Sequence, residues 1–466
     1  MRTLIRGGTV VSQCGSGIAD VFISGHRISA IFDSVDHTFP GLASECDLVV
    51  DARGKLVIPG GVDAHTHLES IGQGTYVPDT FETGTRAAAL GGTTTIIDFA
   101  SPTPGQSMYE AVEGHYSRAN GSCAVDYGFH VFTVGASPSV LHDMSELIKD
   151  GITSFKMFMA YPGRLYSNDG EILRVMQHAS ECGGLVMMHA ENGIAIDVLR
   201  EQAIARGDVL PRFHATTRPS ILEAEAVNRA SVLAQIANVP LYIVHLSSES
   251  ALNALTRARS RGRNIFAETC PQYLFLDESM LNGPFEQSSR FVCSPPLRPR
   301  EQQEALWTGL RNDELQIVAT DHCPFCLWQR ELGRDDFRKI PNGLPGIEHR
   351  VELLYSGVKN GYISPSRWVE LLSTSPAKMF GLFPQKGVIA PGSDADIVIF
   401  DPSKSRKISA SNHSMNVDIS AYENIVTSGT VDTVLLRGKP IVVDGRYIGR
   451  QSDGVFQKRD LCQYLL

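Results

Sequence analysis

From residue 56 onward, short runs of apolar and β-branched residues recur along the chain. Each is followed by a polar or amphipathic segment of helix length. The runs are "LVIPGGVDAHTHL", "GGTTTIIDFA", "VDYGFHVFTV", "ITSFKMFMAY", "GGLVMMHAEN", "VPLYIVHLSS", "NIFAETCPQYL" and "LQIVATDHCPF". Between them lie helix candidates such as "TFETGTRAAALG", "GEILRVMQHASECG", "ILEAEAVNRASVLAQIAN" and "SESALNALTRARSRG". Several end in Gly or Asn, the residues that commonly follow a helix C-terminus. Strands alternating with helices predict parallel βαβ units in an α/β fold. Eight such units over roughly 260 residues predict a closed (β/α)8 TIM barrel. An open sheet of six or seven strands is the alternative.

The two ends follow another pattern. Residues 1–55 read as short hairpin strands, in "TLIRGGTVV" and in "ADVFISGHRISAIF" with Gly25 at a turn. The style returns after about residue 386, in "GSDADIVIFDP" and "VDTVLLRGKPIVVDGRYIG". Neither end alone has enough strands to be stable. Together they predict a small β-sandwich built from both chain ends. The expected organisation is residues 1–55 as its first part, 56–379 as the (β/α)8 barrel, and 380–466 as its second part with a C-terminal tail.

Charge and composition narrow the partners. The formal net charge is −9, and no arginine-rich run or basic stripe occurs, so nucleic acid is not expected. No apolar run nears the ~18 residues of a membrane helix, so no membrane is expected either. The opening "MRTLIRGGTVV" reads as a strand and turn rather than a secretion signal. Nine cysteines, an odd number without framework spacing, suggest reduced thiols in a cytoplasm. Cys323 and Cys326 imitate a CxxC pair, but no second pair accompanies them.

The polar residues of the runs fall at strand C-termini, where barrel enzymes keep their active sites. Strand one ends in His65-Thr66-His67, and alternation puts both imidazoles on one face. Strand five ends with His189, strand six with His245 and strand eight with Asp321. His130, His178 and His214 read as packed or hydrogen-bonded side chains. Four imidazoles and a carboxylate suit Zn2+, with Mn2+, Co2+ or Fe2+ as alternatives, and make a poor Mg2+ site. Two metals fit the set: His65, His67 and Asp321 on one, His189 and His245 on the other. The second pair then needs a bridge.

Lys156, within the apolar run "SFKMFMAY", is the odd residue of strand four. A buried ammonium without a partner is costly, and beside two dications it is repelled. Either its pKa falls and it is a neutral amine, or it reacts with CO2 to form a carbamate. A carbamate is an anion with two oxygens, one for each metal.

In "GGVDAHTHLE", "FETGTRAAALGGTTTIIDFA", "GITSFKMFMAY", "MMHAENG", "YIVHLS", "AETCPQYL", "SPPLR", "ATDHCPF", "NGLPGIEHR" and "FGLFPQKGVIAPGSDADIVIFDP" the chain resembles the cyclic amidohydrolases, in particular the dihydropyrimidinase/hydantoinase group. The resemblance runs nearly the full length. It implies a (β/α)8 barrel with a β-sandwich from both ends. It also implies two divalent metal ions, one on His65, His67 and Asp321 and one on His189 and His245, bridged by carboxylated Lys156. Tyr161 matches a tyrosine that hydrogen-bonds the substrate carbonyl oxygen. Ser294 and Asn342 match residues that hold the cyclic imide edge, largely through main-chain atoms. The expected reaction opens a cyclic amide to an N-carbamoyl amino acid, with Asp321 as the expected carrier of the proton from the attacking hydroxide to the departing ring nitrogen. A homotetramer or homodimer is the expected assembly.

Which ring is opened is read from fewer residues. A dihydroorotate site should offer an arginine beside the metals. Here Leu68 and Glu69 follow the HxH, which argues against that substrate. Hydantoins with a 5-substituent and dihydropyrimidines are the expected substrates, with allantoin or another cyclic imide as the alternative. Tyr76, Leu165 and Tyr166 are the expected apolar wall for a ring substituent. Some relatives are non-catalytic interaction proteins that have lost the metal ligands; this chain keeps all six.

Overall fold

The computed structural model describes residues 1–33 and 41–464. Eight parallel strands run Gly61–Thr66, Thr93–Ala100, Asp126–Phe132, Ser154–Phe158, Leu185–His189, Leu241–Ile243, Ile265–Thr269 and Ile317–Val318. They are barrel strands one to eight, each paired with the next in sequence. The ring shuts between eight and one: His67 N–H donates to the His322 carbonyl at 2.9 Å, and His322 N–H to that of His65 at 3.3 Å. The expected (β/α)8 barrel is present.

The four helix candidates form, as Phe81–Leu90, Asp169–Cys182, Ser220–Ala237 and Glu249–Arg259. Local chemistry marks their ends. The side chains of Thr80, Asn168 and Ser248 accept first-turn N–H groups that have no partner inside the helix. Gly183 and Asn238 end two of them in the left-handed region.

Period-two alternation fills the barrel. Ala64, Phe99, Phe132, Phe158, Met187 and Tyr242 belong to an inner cluster, while Phe155 and Met157 pack outward against the helices. Lys156 lies between those two outward residues, so it is carried inward with Phe158.

The chain ends meet in one mixed nine-stranded sheet, in which Arg2–Ser12 pairs with Gly15–Ser24 and Ile397–Asp401 pairs with Thr430–Leu436. Ile5, Val21, Ile23, Val57, Ile397 and Leu435 share its separate core. The first run divides in two. Leu56–Pro59 joins the terminal sheet, beside both Arg2–Ser12 and Ile397–Asp401. Only from Gly61 does it enter the barrel.

Lys386 ties the two bodies together, with its ammonium against Asp126, where barrel strand three begins, and against Asp394 and Asp396 of the terminal part. The chain's tail runs along its own barrel. Tyr127 N–H donates to the Val455 carbonyl, Gln457 N–H to that of Tyr127, and Arg459 N–H to that of Gly151. Residues 465–466 of that tail lie outside the described residues. Among the described residues no helix is long and apolar enough to cross a membrane.

Candidate active site

His65, His67, Lys156, His189, His245 and Asp321 come from barrel strands one, four, five, six and eight, and all are at most 9% exposed. Oδ1 of Asp321 is 3.1 Å from Nε2 of His65 and 3.2 Å from Nε2 of His67. These three donor atoms lie within 4.8 Å of one another. The His189 and His245 rings are 4.5 Å apart between centroids, and His245 is 5.5 Å from His65. Nδ1 of His245 is buried and has no hydrogen-bond partner. An unsatisfied buried nitrogen among converging donors fits a metal ligand.

Lys156 Nζ is 2.8 Å from Nε2 of His65, with the Phe99, Phe132 and Phe158 rings around it at 4.3, 5.5 and 5.3 Å. Burial pushes its pKa down to about 8, against the pull of the Asp321 and Glu268 carboxylates. Burial likewise lowers His67 to about 4, and lowers His189 and His245. Neutral imidazoles are what a metal requires. His65 differs: burial and Lys156 lower it, but the carboxylates of Glu268 and Asp321 outweigh both. Burial would raise Asp321, yet His65 and His67 hold it well below the usual carboxylate range.

A second layer of polar groups fixes these side chains. Glu268 of strand seven pairs with Nδ1 of His65 and accepts the His245 N–H at 3.1 Å. Glu191 is 2.8 Å from Nε2 of His189 and 3.1 Å from the Arg218 guanidinium. Burial would raise Glu191, but Arg218 and His189 bring it down to about 2. Sequence reasoning missed both acids. Their signal was present: Glu268 is the acid inside "NIFAETC", and Glu191 stands two residues after His189.

Tyr161 lies against this centre, its ring 5.1 Å from that of His189. Tyr161, His245 and Asp321 have φ of +61°, +39° and +49°, a region that costs side-chain-bearing residues energy and clusters at functional sites. Tyr161 and Asn342 line one cavity of about 460 Å3, with Gln73, Arg218, Leu332 and Ile340 among its other walls. Ser294 Oγ is 3.3 Å from Nε2 of His214, and that nitrogen is 2.8 Å from the Cys293 carbonyl. His214 therefore braces the Ser294 segment. His130 is held between Ser154 and the Ala64 carbonyl, and His178 meets Ser145.

Tyr76, Leu165 and Tyr166 are not among the residues lining that cavity. Tyr76 is half exposed, 6.5 Å from the Trp328 ring, and Leu165 packs on the inner barrel cluster. Tyr166 bridges to Phe158. The cavity's apolar wall comes instead from Pro162, Leu332 and Ile340. No disulfide joins the cysteines among the described residues, and Cys323 and Cys326 belong to no metal-competent group there.

The family model "Amidohydrolase family" matches residues 56–441. The chain belongs to that family. It is 54% identical over 465 residues to the D-hydantoinase of Streptomyces coelicolor, across 100% of this chain and 99% of that protein. It is 42% identical over 464 residues to the D-phenylhydantoinase of Escherichia coli O7:K1, across 98% of each. The crystal structure of dihydropyrimidinase from Brevibacillus agri NCHU1002 superimposes with a TM-score of 0.95 at 44% identity, across 99% of each chain. This chain is a cyclic amidohydrolase, and its family implies a binuclear metal site. The buried imidazoles and the Asp321 carboxylate fit that requirement.

Proposed function

We propose that this amidohydrolase opens 5-substituted hydantoins and dihydropyrimidines to N-carbamoyl amino acids, with two Zn2+ ions held by the six buried residues. The observation that carries the reading is the convergence of His65, His67, His189, His245 and Asp321 on Lys156 beside the Tyr161 cavity. One ion would take His65, His67 and Asp321, and the other His189 and His245. Lys156, neutral once its lowered pKa is passed, would attack CO2 through Nζ and lose a proton. The carbamate so formed would join the two sets. When bound, the metal ions supply a water acidified toward neutral pH and an electrophile for the substrate carbonyl.

The chain's own residues do the rest. The Tyr161 hydroxyl donates a hydrogen bond to the oxyanion that develops on the attacked carbonyl. Burial raises that phenol, which keeps it protonated as a donor. Asp321 takes a proton from the attacking water and returns it to the departing ring nitrogen. Ser294 and the main chain of Asn342 hold the imide edge. The 54% likeness to a D-hydantoinase supports 5-substituted hydantoins as the preferred ring.

The test uses zinc-loaded protein purified with bicarbonate. Ring opening of dihydrouracil, hydantoin, 5-phenylhydantoin, allantoin and dihydroorotate is followed side by side. Activity strongest on 5-phenylhydantoin is expected, and preference for allantoin or dihydroorotate contradicts the reading. Asp321→Ala is expected to abolish turnover more completely than occupancy by the second metal. Equal loss of both argues against the proton-carrier role.

A further inference from the structure

The side-chain amide of Gln73 sits on the main chain of Asn342. Its Oε1 accepts the Asn342 N–H at 2.7 Å, and its Nε2 donates to the Asn342 carbonyl at 3.1 Å. The Asn342 side-chain amide also donates to Oε1, at 3.1 Å. Both residues line the cavity that contains Tyr161.

A carbonyl acceptor next to an N–H donor, both on one edge, is what a cyclic amide offers, because ring closure fixes its amide cis. Gln73 therefore presents to Asn342 the same pair of groups that a hydantoin or dihydropyrimidine ring carries. We propose that Gln73 is an internal occupant of the ring-amide subsite at Asn342, displaced by substrate, and that this competition helps set KM. The proposal rests on the reading above, in which Asn342 holds the imide edge.

Two further observations support it. Oδ1 of Asn342 is buried with no partner. The subsite thus has an acceptor that the Gln73 amide leaves unused and that a second ring N–H can fill. The hairpin carrying Gln73 is also built to let go. It has two residue pairs, Ile71 with Tyr76 and Gly72 with Thr75, around a turn at Gln73 and Gly74. Both turn residues have positive φ, +56° and +77°. Such turns favour Asn-Gly or Gly-Gly, and glutamine is strained there. Gln329 holds the returning strand, donating to Thr75 Oγ1 and the Tyr76 carbonyl at 2.7 Å each, while Ile71 on the outgoing strand is 86% exposed. None of residues 71–76 is buried, so apart from the Gln73 amide little packing opposes opening of the tip.

Gln73→Ala and Gln73→Asn test this in the metal-loaded full chain. Asparagine suits the left-handed backbone and is one methylene too short, so it removes the occupant without disturbing the turn. KM for 5-phenylhydantoin is expected to fall about tenfold in both variants, because the competent subsite is no longer mostly filled. The effect should fall on KM rather than kcat. Calorimetric titration with 2-pyrrolidinone, a lactam, should show binding tightened by a similar factor. If KM and lactam affinity are unchanged or worse in both variants, Gln73 only positions Asn342 and the proposal is overturned. Lactam binding that tightens in a protein that opens none of the rings faults the reaction reading and upholds the occupant.

Discussion

Glu268, in barrel strand seven, is the partner of Nδ1 of His65, in strand one. That contact spans 203 residues of sequence and leaves Nε2 of His65 facing Asp321 and Lys156. It fixes which imidazole nitrogen is available to a metal, as acids behind ligand histidines generally do.

Glu268→Gln is expected to weaken metal affinity by about 10- to 100-fold while the barrel still folds. Competition with a chelator, read by metal content, measures it. Unchanged affinity would leave Glu268 with no role in orienting His65.

Lys156→Ala is expected to lose metal and activity together. A short-chain carboxylic acid in the buffer should restore part of both, by standing in for the carbamate. Full metal occupancy in the variant would contradict the bridging role.

Glu191 links the site to acid stability. Its folded pKa of about 2 lies below the ordinary 4.5 of a glutamate. A depressed acid stabilises the fold at pH above its unfolded pKa, and the contribution disappears as pH falls through the folded value. The window is therefore about pH 4.5 down to 2, with a size on the order of 3 kcal/mol at most. In metal-stripped protein, Glu191→Gln should flatten unfolding stability against pH across that window. An unchanged acid limb would refute the assignment.

Lys386→Met removes the buried cation set among Asp126, Asp394 and Asp396, where Arg437 still meets Asp126 and Arg27 still meets Asp394, and leaves Asp396 buried without it. Breaking a buried pair in this way costs about 3–5 kcal/mol. A lowered denaturation midpoint is expected, and one equal to the parent's would mean that Lys386 does not hold the two bodies together.

The sequence by itself determined the eight strands, four of the helices, the shared terminal sheet and the donors at strand ends. Those features follow from local rules: alternation of two, caps, and the βα period act over a few residues. Lys156 was legible as anomalous for the same reason, since a cation at an inward position of an apolar strand needs an explanation. What only the tertiary structure decided are pairings between distant segments. Glu268 against His65, Gln73 on Asn342, Lys386 among three aspartates and the tail along its own barrel join residues far apart in the chain. The division of the first run at Gly60 is of this kind as well. Leu56–Pro59 and Gly61–Thr66 are separated by one residue in the sequence, and only the neighbours available on closure of each sheet send one to the terminal layer and the other to the barrel. Such contacts depend on how the ring of strands closes, and no local periodicity encodes that closure.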